Sequence, residues 1–486
     1  MSTPRRVRIG ICILATALPL LAINQQSLWM DEAMTGNVAV QQTLRLFWQK
    51  LASGKGSDIQ MPLYMFYAWV WARLFGASEI SLRLANYPWF LVGQAAGTLI
   101  WADRRKGFLF VSIAACSSFI WFYLNEARPY IMQYGAACVV VWFLSSLTRG
   151  DSVSTWKYWL FGIGIIVLAG SSMLGLLWVG TSLLVVGFLV LKKGLRPPLL
   201  PILFCALALL VLCGYYFWTL SAGAGGTRGH QTMLNVLYVA YELCGFTGLG
   251  PGRLDIREHG MSSLRSYLLP TGAFALVVFF IFLRLWKRAD RTADKNALVT
   301  TAIYALPPVL FLLIVGAFIH FSVLGRHMMP AAPFVFMFLT AGIYALIADE
   351  TVAGRILTTS FFLLSIVSCF GVRFFPWHMK DDYRGAVTAV SRLLVHDQLA
   401  WWCASKEGAE YYRLPVDGPP DRDGRVFVYV RNPKAEELRR FPMPAVVVLS
   451  KRDLYDANGT VMAMLREREF TLRQTLPAFS IWEKRR

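Results

Sequence analysis

Phe108–Leu147 reads FLFVSIAACSSFIWFYLNEARPYIMQYGAACVVVWFLSSL: two apolar runs joined by the four polar residues Asn125-Glu126-Ala127-Arg128. Each run is close to the roughly 20 residues that cross the hydrocarbon core of a bilayer as a helix. A connection of four residues cannot leave the membrane surface. The stretch is therefore a hairpin of two spans with one acid and one base held at the bilayer edge.

The same pattern runs outward in both directions. Before the hairpin lie Ile9–Ile23 and Tyr87–Ala102; after it come Tyr158–Gly170, Leu174–Leu191, Leu199–Leu220, Tyr267–Leu285, Leu298–Phe318, Ala331–Ile347 and Ile356–Gly371. That gives about eleven spans. Composition agrees: of 486 residues 56% are hydrophobic and only 16% charged, with a mean hydropathy of +0.48, against about 25% charged in a soluble chain. The net charge of +19 does not point to nucleic acid, because the bases cluster in short loops between apolar runs, as the positive-inside rule requires. Arg104, Arg105 and Lys106, then Lys192, Lys193 and Arg196, then Arg284, Lys287, Arg288, Arg291 and Lys295 mark the inner loops. Arg5, Arg6 and Arg8 precede the first run, and no small-residue cleavage site follows it, so it reads as an uncleaved span with its N-terminus inside. An odd count puts the C-terminus outside. The Asp349–Arg355 loop, with two acids and one base, fits this orientation poorly.

The chain divides at 374/375. Residues 1–374 form a transmembrane module with two large outer loops, 24–86 and 221–266. The first mixes apolar residues with Arg45, Lys50, Arg73 and Arg83 and reads as interfacial helices. The second begins with a glycine-rich stretch, Gly223–Gly229, which lacks the Lys-Ser/Thr ending of a phosphate loop. Residues 375–486 alternate strand-like runs (Leu399–Ala404, Arg425–Val430, Ala445–Ser450, Phe470–Thr475) with helix-like ones (Arg384–His396, Lys434–Phe441, Val461–Glu469), as in a small α/β domain. No Cys/His spacing suggests zinc. Six of the eight cysteines lie in apolar runs; Cys244 and Cys403 fall outside them.

Chemistry is expected where polar residues sit at the outer edge. Asp31-Glu32 follows the first span directly. Such a pair is either a solvated end to the span or, in a cleft, a partly desolvated carboxylate suited to general-base work. Glu126 and Arg128 are either a local pair capping two helices or part of the same site. Arg326-His327, with His320, occupies the corresponding turn between Phe318 and Ala331. A guanidinium there can grip a phosphate through two hydrogen bonds or snorkel to lipid headgroups.

Leu28-Trp29-Met30-Asp31-Glu32-Ala33 resembles the acidic motif in the first outer loop of GT-C glycosyltransferases, in particular the protein-mannosyltransferase-like family that includes the lipid A aminoarabinose transferases. Met61-Pro62-Leu63-Tyr64, Arg73-Leu74-Phe75-Gly76 and Ser81-Leu82-Arg83-Leu84 are similar to that family's Pro-Pro-Leu-Tyr and Leu-Arg-Leu segments. Asn125-Glu126-Ala127-Arg128-Pro129-Tyr130 resembles its Glu-Ala-Arg-x-Tyr turn, and Gly325-Arg326-His327-Met328-Met329-Pro330 its Arg-Tyr-Leu-x-Pro element. Asp381-Asp382-Tyr383-Arg384-Gly385-Ala386 resembles the Asp-Trp-Arg-Gly-Ala entry to the C-terminal outer domain of many bacterial members. Gln60, Met61 and His327 depart from the family pattern, in residues that bear on the substrate pocket rather than the reaction class. The resemblance implies a polytopic, GT-C-like helical membrane protein of the bacterial inner membrane. It would transfer a sugar from a polyprenyl-phosphate donor to a hydroxyl on a glycan, lipid or protein, with inversion. It makes Asp31 the base and Glu126 its companion. Glu32, Tyr64, Arg128, Tyr130, His320, Arg326, His327, Asp382 and Arg384 would contact substrate or phosphate. A divalent cation, Mg or Mn, on Asp31 and Glu126 is left open, and no other cofactor is implied. The alternative is a lipid-linked saccharide flippase or another polytopic transporter. A transporter would place charges at mid-span and often shows inverted repeats; here the acids lie at an edge.

Overall fold

The structure, a computed structural model, describes residues 5–54, 56–150, 153–223, 232–288 and 292–485. Gly225, Gly226 and Gly229 of the second outer loop, and Arg291, lie outside the described residues.

Every one of the eleven apolar runs carries a helix. Among the described residues seven helices are long and apolar enough to cross a membrane: Tyr130–Arg149, Gly175–Lys193, Leu199–Ser221, Ser262–Leu285, Lys295–Phe318, Gly325–Ala348 and Val352–Phe374. Arg104–Ala115 and Ser118–Leu124 pass the same test only as a pair bent by 58°. The first half of the opening stretch is thus two sharply bent pieces rather than one continuous helix. The break has a local cause: Ser117 caps the second piece by accepting the Ile120 N–H at 3.4 Å, and the Trp121 indole N–H donates to the freed Ala115 carbonyl at 2.7 Å, so the interruption leaves few backbone groups unsatisfied. Gly10–Ala22, Tyr87–Ile100 and Thr155–Ser171 are shorter.

Tyr130–Arg149 is the central helix of the spanning unit, with 89% of its apolar window buried, whereas Leu199–Ser221 and Ser262–Leu285, at 17%, face outward. Tyr87–Ile100 packs closely against the central helix because a side chain is missing at the crossing. A Cβ on Gly135 would lie 2.4 Å from the Trp89 carbonyl oxygen, the small-residue contact by which membrane helices approach each other.

Side-chain links at the helix ends sort the connections into two sets. At one end Arg284 pairs with Asp349, Tyr344 donates to Asp103 at 2.7 Å, Lys193 donates to Thr148 O at 3.0 Å, and Thr148 bonds Thr300 at 3.1 Å. These are the connections read as inner loops, and the awkward acid Asp349 is neutralised there by Arg284. The connections carrying Glu126, Glu242 and Gly325 meet at the other end.

A second compact unit comprises Gln25–Gln41, Ala77–Glu79 and Met379–Arg486. The first outer loop, 24–86, therefore contributes to both units, and the chain passes from one to the other at His378/Met379. The loop is helical throughout much of its length: Met30–Ala39, Leu44–Ser53, Pro62–Phe75 and Glu79–Leu84. The second unit holds a five-stranded sheet in the order β2-β1-β3-β5-β4, with β1 Leu399–Cys403, β2 Val426–Tyr429, β3 Val446–Ser450, β4 Phe470–Leu476 and β5 Phe479–Lys484. β1 pairs in parallel with β2 and β3; β5 pairs antiparallel with β3 and β4. Alternate residues of β1 and β3 enter different cores: Ala400, Trp402, Val446 and Val448 pack with the Tyr383–Leu393 helix, while Trp401, Cys403, Val447 and Leu449 pack with the Thr460–Glu467 helix. Both faces are covered, which is why these strands read as unbroken apolar runs. The sequence reading missed β5, because the turn before it, Pro477-Ala478, is not a usual hairpin pair and needs a positive φ of 66° at Ala478.

Candidate functional site

In the spanning unit the site grows from the 125–130 turn. Asn125 Oδ1 accepts the Asn24 N–H at 3.1 Å, and the buried Arg83 donates to Asn24 O at 2.9 Å. Asn86 donates to the backbone carbonyl of Glu126. The turn is thereby pinned, and the Glu126 side chain is buried at 1% exposure with Oε1 3.5 Å from the Arg253 guanidinium. Arg253 is the hub. It donates to the Tyr123 hydroxyl at 2.6 Å and to Glu242 Oε1 at 2.9 Å, and it lies over the Phe122 ring with 4.0 Å to the centroid. The other Glu242 oxygen accepts the Gly325 N–H at 2.9 Å, which fixes the Gly325–Ala331 turn bearing Arg326 and His327. Glu242 is as buried as Glu126, yet Arg253 keeps 29% exposure. Burial works against the charge on Arg253, but the Tyr123 oxygen and the Glu242 and Glu126 carboxylates outweigh it and hold the guanidinium protonated, above the usual arginine range.

Thus two turns singled out in the sequence, at Glu126 and Arg326, belong to one network. The residues joining them, Glu242 and Arg253, were missed. The available signal was a single charged residue in the largely apolar Met233–Leu243 helix, and an arginine straight after Gly250-Pro251-Gly252. Arg128 lies elsewhere: it is buried, paired with Asp58, and donates to Ser57 at 3.0 Å, so it organises the Ser57–Gln60 turn. Tyr130 stacks edge-on to Tyr123, with ring centroids 4.9 Å apart. Tyr64 is fully buried in the Pro62–Phe75 helix. His327 accepts the Leu324 N–H through Nδ1 at 3.1 Å. His320 is exposed and ends its helix with a φ of 54°.

Asp31 and Glu32 belong to the second unit, on the Met30–Ala39 helix. Glu32 has no exposure; it pairs with Lys380 at 3.0 Å and accepts the Trp29 N–H at 3.4 Å. Asp31 is half-buried. Asp382 caps the Tyr383–Leu393 helix by accepting the Gly385 N–H at 2.8 Å. Arg384 pairs with Glu79 at 3.1 Å and donates to Gln25 O at 2.8 Å. Among the described residues no group of three or more His, Cys, Asp or Glu side chains is placed to hold a metal ion. Glu126 faces a guanidinium instead, so its surroundings do not fit a cation.

Two crystal structures of ArnT from Cupriavidus metallidurans match along nearly the whole chain. The one bound to undecaprenyl phosphate gives a TM-score of 0.56 at 13% identity, over 99% of this chain and 98% of that one. The apo form gives 0.55 at 14% identity, over 98% and 97%. The chain has the GT-C fold. No protein-family model and no curated protein sequence matches it.

Proposed function

We propose that this protein transfers a sugar from a polyprenyl-phosphate donor to an acceptor hydroxyl at the outer face of the bacterial inner membrane. Arg253 carries the reading: a guanidinium locked along one edge by Glu242 and Tyr123 and still part-exposed is a fixed positive charge for a departing phosphate. ArnT, which has the same fold, was crystallised with undecaprenyl phosphate. In the proposed reaction the acceptor oxygen attacks C1 on the face opposite the phosphate. The C1–O bond breaks, and its electron pair leaves on the phosphate, which needs no general acid. Asp31 takes the acceptor proton, and the configuration inverts. Glu126, held by Arg253, orients polar groups of the substrate. The donor's prenyl chain stays in lipid. The N-terminus is cytoplasmic and the sheet-containing unit extracytoplasmic.

The test is reconstitution in liposomes with a panel of polyprenyl-phosphate sugars, following released polyprenyl phosphate. One sugar class is expected to release it in the wild type, and Asp31→Asn is expected to lose about 10²–10⁴-fold in rate with donor binding retained. Full activity in Asp31→Asn would remove Asp31 from the chemistry. Saccharide crossing the bilayer without release would favour the flippase.

A further inference from the structure

The segment that carries Asp31 is gripped at five points by the unit built on the sheet. The Leu28 N–H donates to the Tyr412 hydroxyl at 2.8 Å. The Lys451 ammonium lies 5.6 Å from the centroid of the Trp29 ring. The Tyr455 hydroxyl reaches Met30 Sδ at 3.7 Å. Lys380 pairs with Glu32 at 3.0 Å. Asn37 donates to Glu407 O at 2.9 Å. Gly36 permits this approach, since a Cβ there would lie 2.5 Å from the Tyr411 ring.

Two of the five contacts are made by half-buried lysines whose side chains are largely covered. Lys380 is 9% exposed and its partner Glu32 0%; Lys451 is 6% exposed and its partner Asp381 5%. Lys451 also holds a φ of 25° at the end of β3, a conformation that non-glycine residues adopt only where their surroundings enforce it. Burying ion pairs is seldom the most stable solution, because well-packed apolar residues of similar volume serve as well or better. What a hydrogen-bonded ion pair adds is direction. Neighbouring residues on a helix point about 100° apart, so fixing the azimuth of Glu32 fixes that of Asp31.

We propose that Lys380 and Lys451 are positioning residues: through Glu32 and Trp29 they set the rotation of the Met30–Ala39 helix and so the direction in which Asp31 presents its carboxylate. The C-terminal domain then contributes to the reaction without touching the reacting atoms. Glu32 is the anchor of the acidic pair and Asp31 its working member. This rests on Asp31 as the proton acceptor of the proposed transfer.

The test uses the full-length protein in liposomes, with turnover and donor KM from polyprenyl phosphate release, and amide hydrogen exchange over residues 30–39. Lys380→Met is expected to lower turnover by ~10- to 100-fold, the scale of an ångström-sized misplacement. Donor KM should stay within about threefold, since ground-state binding is not what is lost. Exchange across 30–39 should rise, and Lys380→Arg should restore most of the turnover. The double variant Glu32→Gln/Lys380→Met buries no unpaired charge and guards against a fold-level failure; it should fold and remain slow. Wild-type turnover in the double variant, or unchanged exchange in Lys380→Met, would overturn the proposal. Raised exchange in Lys380→Met, with a wild type that releases polyprenyl phosphate from no donor, would support the clamp and overturn the transfer reading instead.

Discussion

Glu126 and Glu242 are 116 residues apart in the chain and share one guanidinium. Truncating Arg253 would leave both carboxylates buried beside Tyr123 with their principal cation gone. Loss of one partner from a buried charge pair costs about 3–5 kcal/mol, and the part exposure of Arg253 puts this case toward the lower end. Arg253→Ala is therefore expected to lower the thermal midpoint of the protein and, if Arg253 meets the donor phosphate, to lower kcat/KM for the donor by the roughly 1.5–3 kcal/mol of a charge-assisted contact. Arg253→Lys should fall between wild type and Arg253→Ala, because an ammonium keeps the charge and loses the fork. Equal donor kinetics in Arg253→Ala and wild type would remove this arginine from phosphate handling. The members of the network were unequally legible. Glu126 stood out because a four-residue loop between apolar runs leaves an acid nowhere to go. Glu242 and Arg253 resembled ordinary charges of a long outer loop, since nothing local to either residue specifies a partner.

Elements followed local rules closely and departed from them where a side chain intervened. The run Phe108–Leu124 is uncharged and largely apolar, so its length alone says one span; a serine cap inside it makes two pieces. The Tyr383–Leu393 helix starts where Asp382 can cap it. The turn Pro376–His378, after the last span, carries a titratable group that the sequence did not single out. His378 is 8% exposed, and its ring Nε2 has no hydrogen-bond partner among the described residues. Burial, and secondarily the Arg253 charge, lower its pKa from 6.5 to about 4, while a bond to the Gly248 backbone pulls the other way. The folded chain thus keeps this ring neutral while the unfolded chain protonates it below pH 6.5. Stability is lost as pH falls from 6.5 toward 4 and changes no further from this group below that. The loss is at most about 3 kcal/mol, since each tenfold drop in proton affinity on folding corresponds to about 1.4 kcal/mol. Thermal inactivation in detergent should show a midpoint that drops between pH 7 and pH 5 in the wild type and drops less in His378→Asn. Equal slopes would place the acid sensitivity elsewhere.

For the whole molecule, the side-chain links at opposite ends of the spans separate the connections into the two sets that charge counting had assigned to inside and outside. Their sidedness is testable by cysteine labelling in intact cells. Ser53→Cys and Arg440→Cys, both exposed, are expected to react with an impermeant maleimide, and Lys192→Cys, also exposed, to react only after permeabilisation. The native Cys403 is fully buried and Cys244, with a thiol pushed up to about 11 by burial, is little ionised at neutral pH, so both should contribute little background. Protection of position 53 would reverse the orientation and move the acidic loop to the cytoplasm.

The sequence by itself determined the run of spans, the placement of acids at their edges, most of the sheet strands and the order of motifs. All of these depend on periodicity, length and neighbouring residues, over which burial in lipid acts directly. Tertiary structure alone decided which charges meet. The joining of Glu126 to the Arg326 turn through Arg253 and Glu242, the withdrawal of Arg128 to Asp58, and the transfer of residues 25–41 into the unit of the sheet each join residues far apart in the chain. A carboxylate becomes an anchor or a reactive group only once its solvent exposure and its counter-charge are fixed, and both are properties of the folded neighbourhood rather than of the segment that carries it.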